Sequence, residues 1–298
     1  MEFDAIFNEY KTEMVTISIC RAADMDVLKP VLRLFNESKM TFHLVDDRST
    51  IEKMLNSENE GYLSNERLVI HHADSDEEAA EIAVKLVSEG RADILMKGLI
   101  STSIILREVL NKSHGLKGDG LLSHVAFFDL PNYHKAILLS DAAMNIAPDA
   151  GEKAEILKNT LQCSYKLNMK KPKAAFLSAV EKVNEKLSST TDAEAVKSTA
   201  EIKSMDVILD GPLQYDLAVS KQAAEHKGLE SEVAGDVDIL IAPDIEAGNI
   251  LYKSLVYTAG ARVASIITGA RAPIVLTSRT DSAEDRYNSI SLAIHVAK

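Results

Sequence analysis

The sequence of 298 residues predicts an α/β fold with mainly parallel sheets, divided into two lobes. Short apolar runs rich in β-branched residues alternate along the chain with longer segments whose apolar residues recur every three or four positions. Such alternation indicates repeated strand–helix–strand units, which build parallel sheets. Near residue 113 the alternation breaks at a glycine-rich stretch, and two adjacent strand-like runs follow. These two runs could pair antiparallel or mark a passage between domains, and we expect the chain to cross into a second lobe near residue 130.

The crossing and the later return of the chain define two expected domains. Domain I is expected to be discontinuous, with residues 1–130 and 271–298, and domain II is expected to span residues 131–270. No low-complexity linker separates them, and the polar stretch 184–192 is the best candidate for a surface loop.

The elements before residue 113 form four strand–helix units. The predicted strands are 15–20, 40–45, 68–70 and 92–96, and the predicted helices are 26–37, a short one from Thr50, 75–88 and 101–110. The helix 75–88 opens on a capping-box pattern, Ser75-Asp-Glu-Glu78. Pro30 is compatible with the helix 26–37 only if it lies in the first turn, where its missing N–H costs little.

The elements after residue 120 repeat the pattern with one change, since the first two strands follow each other directly. The predicted strands are 125–130, 136–139, 174–177, 207–209, 239–241, 263–267 and 274–276, and the predicted helices are 150–167, 193–204, 213–225, 247–258 and a last one opening at Asp281 or Ser282.

Composition and charge argue against several classes of function. The net charge of −12 disfavours non-specific binding to nucleic acid. Lys97 interrupts the longest apolar run, so we expect no membrane span. The acidic start Glu2-Phe3-Asp4 lacks the features of a signal peptide, and Cys20 and Cys163 have no metal or redox spacing. These observations predict a reduced, cytoplasmic protein without a metal site.

Four strand-to-helix junctions carry polar side chains. They are Lys97-Gly98 with Thr102 and Arg107 on the following helix, Asp210-Gly211, the segment from Asp244 to Asn249 and Lys253, and Ser278-Arg279 with Asp285. In open α/β sheets, ligands bind beyond the carboxyl ends of the strands, so the four junctions together suggest one cleft. Taken alone, Arg107 could be a solvated helix residue, and the second and third junctions could be turns that cap helices.

The fourth junction is the most informative. Ser278 and Arg279 place a hydroxyl and a guanidinium where a strand ends and a helix begins, which is a natural site for an anion. Asp285 adds a carboxylate one helical turn later. An anion site beside a candidate base is suited to moving a phosphate-bearing group.

These junctions resemble those of the phosphate acetyl/butyryltransferase family. The matching elements, in the family's order, are Lys97-Gly98 with Thr102 and Arg107, Ser140-Asp141-Ala142-Ala143-Met144-Asn145 with Pro148, Asp210-Gly-Pro-Leu-Gln214-Tyr-Asp216, Pro243-Asp244 with Gly248-Asn249-Ile250-Tyr252-Lys253, and Ser278-Arg279 through Asp285. Within the family, Asn145-Ile-Ala-Pro-Asp149 and Thr280-Asp281 resemble the butyryltransferase members. The family's acetyl members use a further arginine, for which residues 122–125 show no clear equivalent.

The resemblance implies a two-domain, three-layer fold similar to isocitrate and isopropylmalate dehydrogenases, with the site in an inter-domain cleft, and a homodimer. It implies the reaction butyryl-CoA + phosphate ⇌ butyryl phosphate + CoA, with CoA as a substrate and neither a metal nor a bound prosthetic group. Three catalytic roles are implied: Ser278 for the carbonyl oxygen, Arg279 for the phosphate and Asp285 for the CoA thiol. Implied substrate-binding residues are Lys97, Gly98, Thr102, Arg107, Asp210, Gly211, Asn249 and Lys253.

Three alternatives stay open at this point. The first is acetyl transfer by the same reaction. The second is a metal- and NAD(P)-dependent hydroxy-acid dehydrogenase, in which Asp210, Asp216 and Asp244 would form the cation cluster. The third is a non-catalytic sensor of CoA or acyl phosphate.

Overall fold

The computed structural model describes residues 2–7, 14–114, 116–118, 120–278 and 281–297, and the chain divides into two compact units. The terminal unit comprises Asp4–Gly120 and Ala264–Lys298, and the central unit comprises Leu121–Val263 with Met1–Phe3. After a first change at 3/4, the chain changes unit at 120/121 and 263/264, whereas the sequence analysis placed the two later passages at 130/131 and 270/271.

Strands and helices alternate through both units. The strands are β1 (Thr16–Cys20), β2 (Thr41–Asp46), β3 (Leu68–His72), β4 (Ile94–Lys97), β5 (Ser123–Asp129), β6 (Ile137–Ser140), β7 (Lys173–Leu177), β8 (Ile208–Leu213), β9 (Ile239–Ile241), β10 (Arg262–Thr268) and β11 (Ile274–Val275). The helices are α1 (Met25–Glu37), α2 (Arg48–Glu58), α3 (Asp76–Ser88), α4 (Thr102–Val109), α5 (Ala150–Lys166), α6 (Ser188–Ser198), α7 (Ala200–Lys203), α8 (Tyr215–Val219), α9 (Lys221–Lys227), α10 (Ile245–Tyr257) and α11 (Ala283–Val296). Short 3₁₀ turns occur at Phe3–Phe7 and Glu60–Tyr62.

The strands of the terminal unit follow the order β3-β2-β1-β4-β11-β10, in which β10 alone runs antiparallel to its neighbour β11. Fully buried apolar side chains such as Ile17, Ile19 and Phe42 form the core, and β1 and β4 are buried almost throughout. Because the other five strands are parallel, their carboxyl ends lie at one edge of the sheet. The register Cys20↔Lys97 and Val275↔Met96 brings the ends of β1, β4 and β11 together there.

The strands of the central unit follow the order β5-β6-β9-β7-β8, and β5 runs antiparallel to β6. Its core includes Phe128, Leu139, Leu240 and Tyr252. The start of β5 therefore lies at the same edge as the carboxyl ends of β6, β9 and β7. That edge is where the polar junctions of this unit are found.

The following local predictions differ from the structure. Helix α1 begins at Met25 with Asp24 as its N-cap, so Pro30 lies in the second turn and not the first. Helix α6 begins at Ser188, inside the stretch expected to be a loop, because the Thr190 side chain bonds the backbone of Asn184 and fixes the turn before the helix. Strand β8 continues to Leu213, four residues past its predicted end at residue 209.

Helix α10 approaches the end of β6 very closely. A Cβ atom at Gly248, the fourth residue of the helix, would lie 2.2 Å from the carbonyl oxygen of Asp141 and 3.1 Å from the Cβ atom of Ala242. Neither a backbone carbonyl nor a strand-end residue can move aside cheaply. Glycine is therefore required for this contact.

We predict that Gly248→Ala destabilises the protein by about 1–3 kcal/mol or more, because overpacking against backbone forces the helix outwards. The measurement is the free energy of unfolding from urea titration. Gly151→Ala in the first turn of α5 is the matched control: its Cβ would meet only the Asp149 side chain, at 3.3 Å, so stability should stay within about 1 kcal/mol of the wild type. Equal effects of the two substitutions would contradict the packing argument.

Both cysteines are buried. Cys20 ends β1 and Cys163 lies in α5. Burial raises the pKa of the Cys163 thiol to about 12. Burial, helped by the carboxylate of Asp76, raises the pKa of Cys20 as well.

We predict that neither thiol of the folded protein reacts measurably with a chromogenic disulfide reagent at about pH 8, since the thiolate is the reactive form and its fraction at a pKa of about 12 is ~10⁻⁴. Both thiols should react after unfolding in guanidinium chloride. Fast labelling of one thiol in the native protein would show that its site is open.

Candidate functional site

The edge of the terminal unit carries Lys97 and Gly98. Lys97 is the last residue of β4; it is only 6% exposed, and its Nζ donates to the carbonyl oxygen of Gly98 at 3.3 Å. A Cβ atom at Gly98 would lie 2.1 Å from the carbonyl oxygen of Arg21, so glycine lets this junction pack against the end of β1. A nearly buried ammonium is thus held at the carboxyl end of the strand.

Helix α4 follows this junction. Thr102 is its first residue and is exposed, and Ser101, the N-cap, makes no side-chain capping bond among the described residues. Arg107 lies in the last turn, where its side chain is 65% exposed and pairs with Glu77 at 3.4 Å. This position fits the alternative that Arg107 is a solvated helix residue.

Ser278 lies between β11 and α11. Its backbone N–H donates to Oδ2 of Asp281 at 2.7 Å, and its carbonyl oxygen accepts from the N–H of Asp281 and from the buried guanidinium of Arg286 at 3.4 Å. These bonds fix the backbone of the segment while the Ser278 residue is exposed. Arg279, the predicted phosphate ligand, lies outside the described residues.

Asp285 closes a capping box at the start of α11. Its Oδ2 accepts from the N–H of Ser282 at 3.1 Å and from the Ser282 hydroxyl at 2.7 Å, while its own N–H donates to that hydroxyl at 3.0 Å. Within the described part of the chain, the other oxygen, Oδ1, has no hydrogen-bond partner. The carboxylate is therefore oriented through its Oδ2 atom.

The parallel pairing of β4 and β11 joins these two junctions. Because Val275 pairs with Met96, the residues that follow, Lys97 on one strand and the segment to Ser278 on the other, leave the sheet side by side. The structure thus brings Lys97, Gly98 and the Ser278–Asp285 junction to one edge of the terminal unit.

Arg21 is a polar residue of this edge that the sequence analysis missed. It follows β1 directly, in a left-handed backbone conformation (φ 57°), and its guanidinium pairs with Asp46 at 2.6 Å and Asp76 at 2.8 Å. Its neighbour Cys20 pairs with Lys97 in the sheet. The available signal was its position directly after a predicted strand.

The edge of the central unit carries Asn249 and Lys253 on α10. The Asn249 side-chain amide donates to the carbonyl oxygen of Ala142 at 3.1 Å. The Lys253 ammonium lies 5.0 Å from the ring centre of Tyr252 and 5.7 Å from that of Tyr257. Asn249 therefore ties the helix to the segment after β6, and Lys253 adds positive charge one turn further along.

Asp141 shapes the segment that α10 contacts. Its buried carboxylate accepts from the backbone N–H groups of Ala143, Met144 and Asn145 and from the Asn145 side chain at 2.5 Å. The Asn145 amide also donates to the carbonyl oxygen of Leu122 at 2.9 Å. This explains the family-like run from Ser140 to Asn145 as a scaffold for the site.

Asp210 and Gly211 lie elsewhere than predicted. They were expected on an exposed turn after a strand, but they lie within β8. The carboxylate of Asp210 accepts from the N–H of Gly211 at 2.7 Å, from Lys197 at 3.5 Å and from the Ser231 hydroxyl at 2.5 Å. The strand continues because it pairs with β7 (Ala175↔Asp210 and Leu177↔Leu213), while Lys197 and Ser231, which lie well apart in sequence, bond the carboxylate.

The carboxylates proposed for a cation cluster do not assemble. In the chain as described, no group of three or more His, Cys, Asp or Glu side chains is placed to hold a metal ion. Asp244 instead caps α10, accepting from the N–H of Ala247 at 2.8 Å. No helix in the described ranges is long and apolar enough to cross a membrane.

His124 is a second residue that the sequence analysis did not single out. It lies at the start of β5, is buried, and packs edge-on against Tyr252 with ring centres 5.7 Å apart. Its Nδ1 has no hydrogen-bond partner among the described residues. Burial lowers its pKa, despite the opposing effect of Asp141, so the ring is neutral at neutral pH.

The chain is similar to known proteins over nearly its whole length. A model of the phosphate acetyl/butaryl transferase family matches residues 2–294. The chain is 44% identical over 282 residues to the probable phosphate butyryltransferase of Bacillus subtilis (strain 168), covering 94% of this chain and 92% of that protein. It matches the crystal structure of a branched-chain phosphotransacylase from Enterococcus faecalis V583 with a TM-score of 0.83 and 36% identity, covering 95% of this chain and 99% of that one.

A more distant likeness concerns the fold alone. A 4-hydroxythreonine-4-phosphate dehydrogenase from Klebsiella pneumoniae matches with a TM-score of 0.59 at 11% identity, covering 96% of this chain and 100% of that one. The predicted α/β fold of the dehydrogenase-like type, with mainly parallel strands, is confirmed. On the match from residue 2 to residue 294, this chain belongs to the phosphate acetyl/butaryl transferase family.

Proposed function

We propose that this protein is a phosphate butyryltransferase, an acyltransferase that catalyses butyryl-CoA + phosphate ⇌ butyryl phosphate + CoA. The observation that carries the proposal is the similarity to the Bacillus subtilis protein over nearly the whole of both chains. The edge that carries Lys97, Ser278 and Asp285 supports it, since it combines a buried ammonium with an oriented carboxylate.

To catalyse the reaction, the enzyme must stabilise the carbonyl oxygen, hold the phosphate and orient the CoA thiol. A phosphate oxygen attacks the thioester carbonyl carbon, the carbon–sulfur bond breaks, and the proton of the phosphate passes to the CoA sulfur. Ser278 would donate a hydrogen bond to the carbonyl oxygen as negative charge develops on it. Arg279 would hold the phosphate through a bidentate contact. Both substrates react directly, without an acyl-enzyme.

Asp285 would orient the CoA thiol and accept its proton. In the direction of acyl-CoA synthesis the thiolate is the nucleophile, so the thiol must lose its proton. The capping box fixes Oδ2, and Oδ1, which has no hydrogen-bond partner among the described residues, is suited to accept a hydrogen bond from the thiol. Orientation of the thiol by this oxygen supports catalysis together with proton transfer.

Substrate binding is proposed for the remaining predicted residues, with different degrees of support. Lys97 and Gly98 lie at the same sheet edge as Ser278, and Asn249 and Lys253 lie at the edge of the central unit. Thr102 begins α4 beside the Lys97 junction. Arg107 forms an ion pair with Glu77, and Asp210 and Gly211 take part in hydrogen bonds within the protein. A contact between these residues and substrate would therefore require the existing bonds to break.

The family resemblance supports the rest of the proposal. CoA acts as a substrate, and neither a metal ion nor a bound prosthetic group takes part. The enzyme is a homodimer in the cytoplasm. Two buried cysteines suit a reducing compartment, where disulfides are rare.

We expect a preference for butyryl-CoA over acetyl-CoA, because a fitted apolar pocket gains about 1–3 kcal/mol per methylene, and hence at least about tenfold in kcat/KM for two. The measurement is phosphate-dependent release of CoA from acetyl-, butyryl- and isobutyryl-CoA. Equal or faster turnover of acetyl-CoA would favour the runner-up, acetyl transfer. Metal-dependent reduction of NAD(P) by a hydroxy acid, with no CoA release, would replace the proposal with a dehydrogenase.

We expect Ser278→Ala to lower kcat by about a hundredfold, since loss of one hydrogen-bond donor to a developing oxyanion costs ~3 kcal/mol. Asp285→Asn should also lower kcat strongly while keeping the shape of the cap. Ser103→Ala is the control, because Ser103 is exposed and bonds only the hydroxyl of Ser101 in the described chain. Wild-type turnover of either site variant, or a trapped acyl-enzyme, would refute these roles.

A further inference from the structure

The central unit contains a cavity of about 870 Å³ that lies at the carboxyl ends of β7 and β9. Leu177 and Ala242, from the two strand ends, are among its lining residues. Ala247, Leu251 and Ser254 of α10 line one side, and the first turns of α5 and α6 complete it. Its size is typical of a small-molecule site, and the strand ends are where ligands bind in α/β sheets.

All but one of the charged groups that line the cavity have partners within the described chain. Lys153 is only 3% exposed and pairs with Asp192 at 2.6 Å. Asp149 closes the capping box of α5, and Asp244 caps α10. Among the lining cations of the described chain, only Lys186 has no acidic partner.

This charge balance disfavours a polyanion. CoA carries a diphosphate and a 3′-phosphate on its nucleotide half, and one uncompensated lysine cannot neutralise them. The other half of CoA, the pantetheine arm, is uncharged. It contains two amides, a hydroxyl and a branched apolar centre.

The lining suits such an arm. Apolar side chains such as Leu177, Leu187 and Leu251 would cover its methyl and methylene groups. Hydroxyls of Ser178 and Ser189, which lie 2.8 Å apart, and of Ser254 would meet its amides. The cavity is also far larger than a four-carbon acyl chain requires.

We propose that this cavity binds the pantetheine arm of CoA and leaves the nucleotide phosphates outside it. The inference rests on the proposed function, because it assumes that CoA is the substrate. Helix α10 would then have two functional faces. On one face, Asn249 bonds the carbonyl oxygen of Ala142 and Tyr252 packs against His124. The other face lines the cavity with Ala247, Leu251 and Ser254.

The test is protection of a thiol introduced in the cavity wall, Ser254→Cys, from labelling by a fluorescent maleimide. The native cysteines are buried, so the new thiol is the one that reacts. The probes are butyryl-CoA, S-butyryl-pantetheine and adenosine 3′,5′-bisphosphate, without phosphate so that nothing turns over. Glu246→Cys, exposed on the same helix but not lining the cavity, is the matched control.

Butyryl-CoA and S-butyryl-pantetheine should each slow labelling of Ser254→Cys about tenfold at about ten times their dissociation constants, because labelling needs the empty site. Neither should protect Glu246→Cys, and adenosine 3′,5′-bisphosphate should protect neither variant. Protection of Ser254→Cys by the adenosine compound alone, or by no probe, would overturn the assignment.

A second variant guards against a folding defect at position 254. Ala247→Trp adds a large ring at an exposed position of the cavity wall and should raise KM for butyryl-CoA and S-butyryl-pantetheine by the same factor, with KM for phosphate unchanged. An unchanged KM for both thioesters would count against the cavity. If the wild-type enzyme releases CoA but no probe protects Ser254→Cys, only the cavity assignment is wrong. If butyryl-CoA protects Ser254→Cys but the wild-type enzyme does not release CoA, only the proposed reaction is wrong.

Discussion

The polar edge of the central unit depends on one close contact, the approach of α10 to the carbonyl group of Asp141. The contact is possible because residue 248 has no Cβ atom. It fixes the helix against a segment that Asp141 itself organises through its carboxylate. The position of every functional side chain on α10, and of the cavity beside it, follows from that contact.

The terminal unit uses the same device. At Gly98 a Cβ atom would lie 2.1 Å from the carbonyl oxygen of Arg21, and at Gly248 it would lie 2.2 Å from that of Asp141. In both cases the carbonyl belongs to the residue that follows a neighbouring parallel strand, β1 or β6. Each glycine therefore lets two strand-end segments meet without a side chain between them, and polar residues collect where they meet.

The sequence predicted the order and type of most elements, because apolar periodicity reports directly which face of a helix or strand is buried. It failed where distant residues decide. Strand β8 runs through Asp210 because it pairs with β7, while Ser231 and Lys197 bond the acid, and no local pattern reveals that pairing. Arg21 and His124 escaped notice for the same reason: the partners Asp46 and Tyr252 lie far along the chain. The start of α11 at the Ser282 cap was predictable because the strand, the polar turn and the helix cap follow one another directly in the sequence.

The burial of both cysteines has a chemical consequence for a protein that handles CoA. A thiolate on the surface would exchange with the disulfide form of CoA and leave a mixed disulfide on the protein. Cys20 ends a strand beside Lys97, at the very edge proposed to bind substrate. Its raised pKa and its burial keep it in the unreactive thiol form, so a cysteine at this edge need not exchange with a thiol or disulfide ligand.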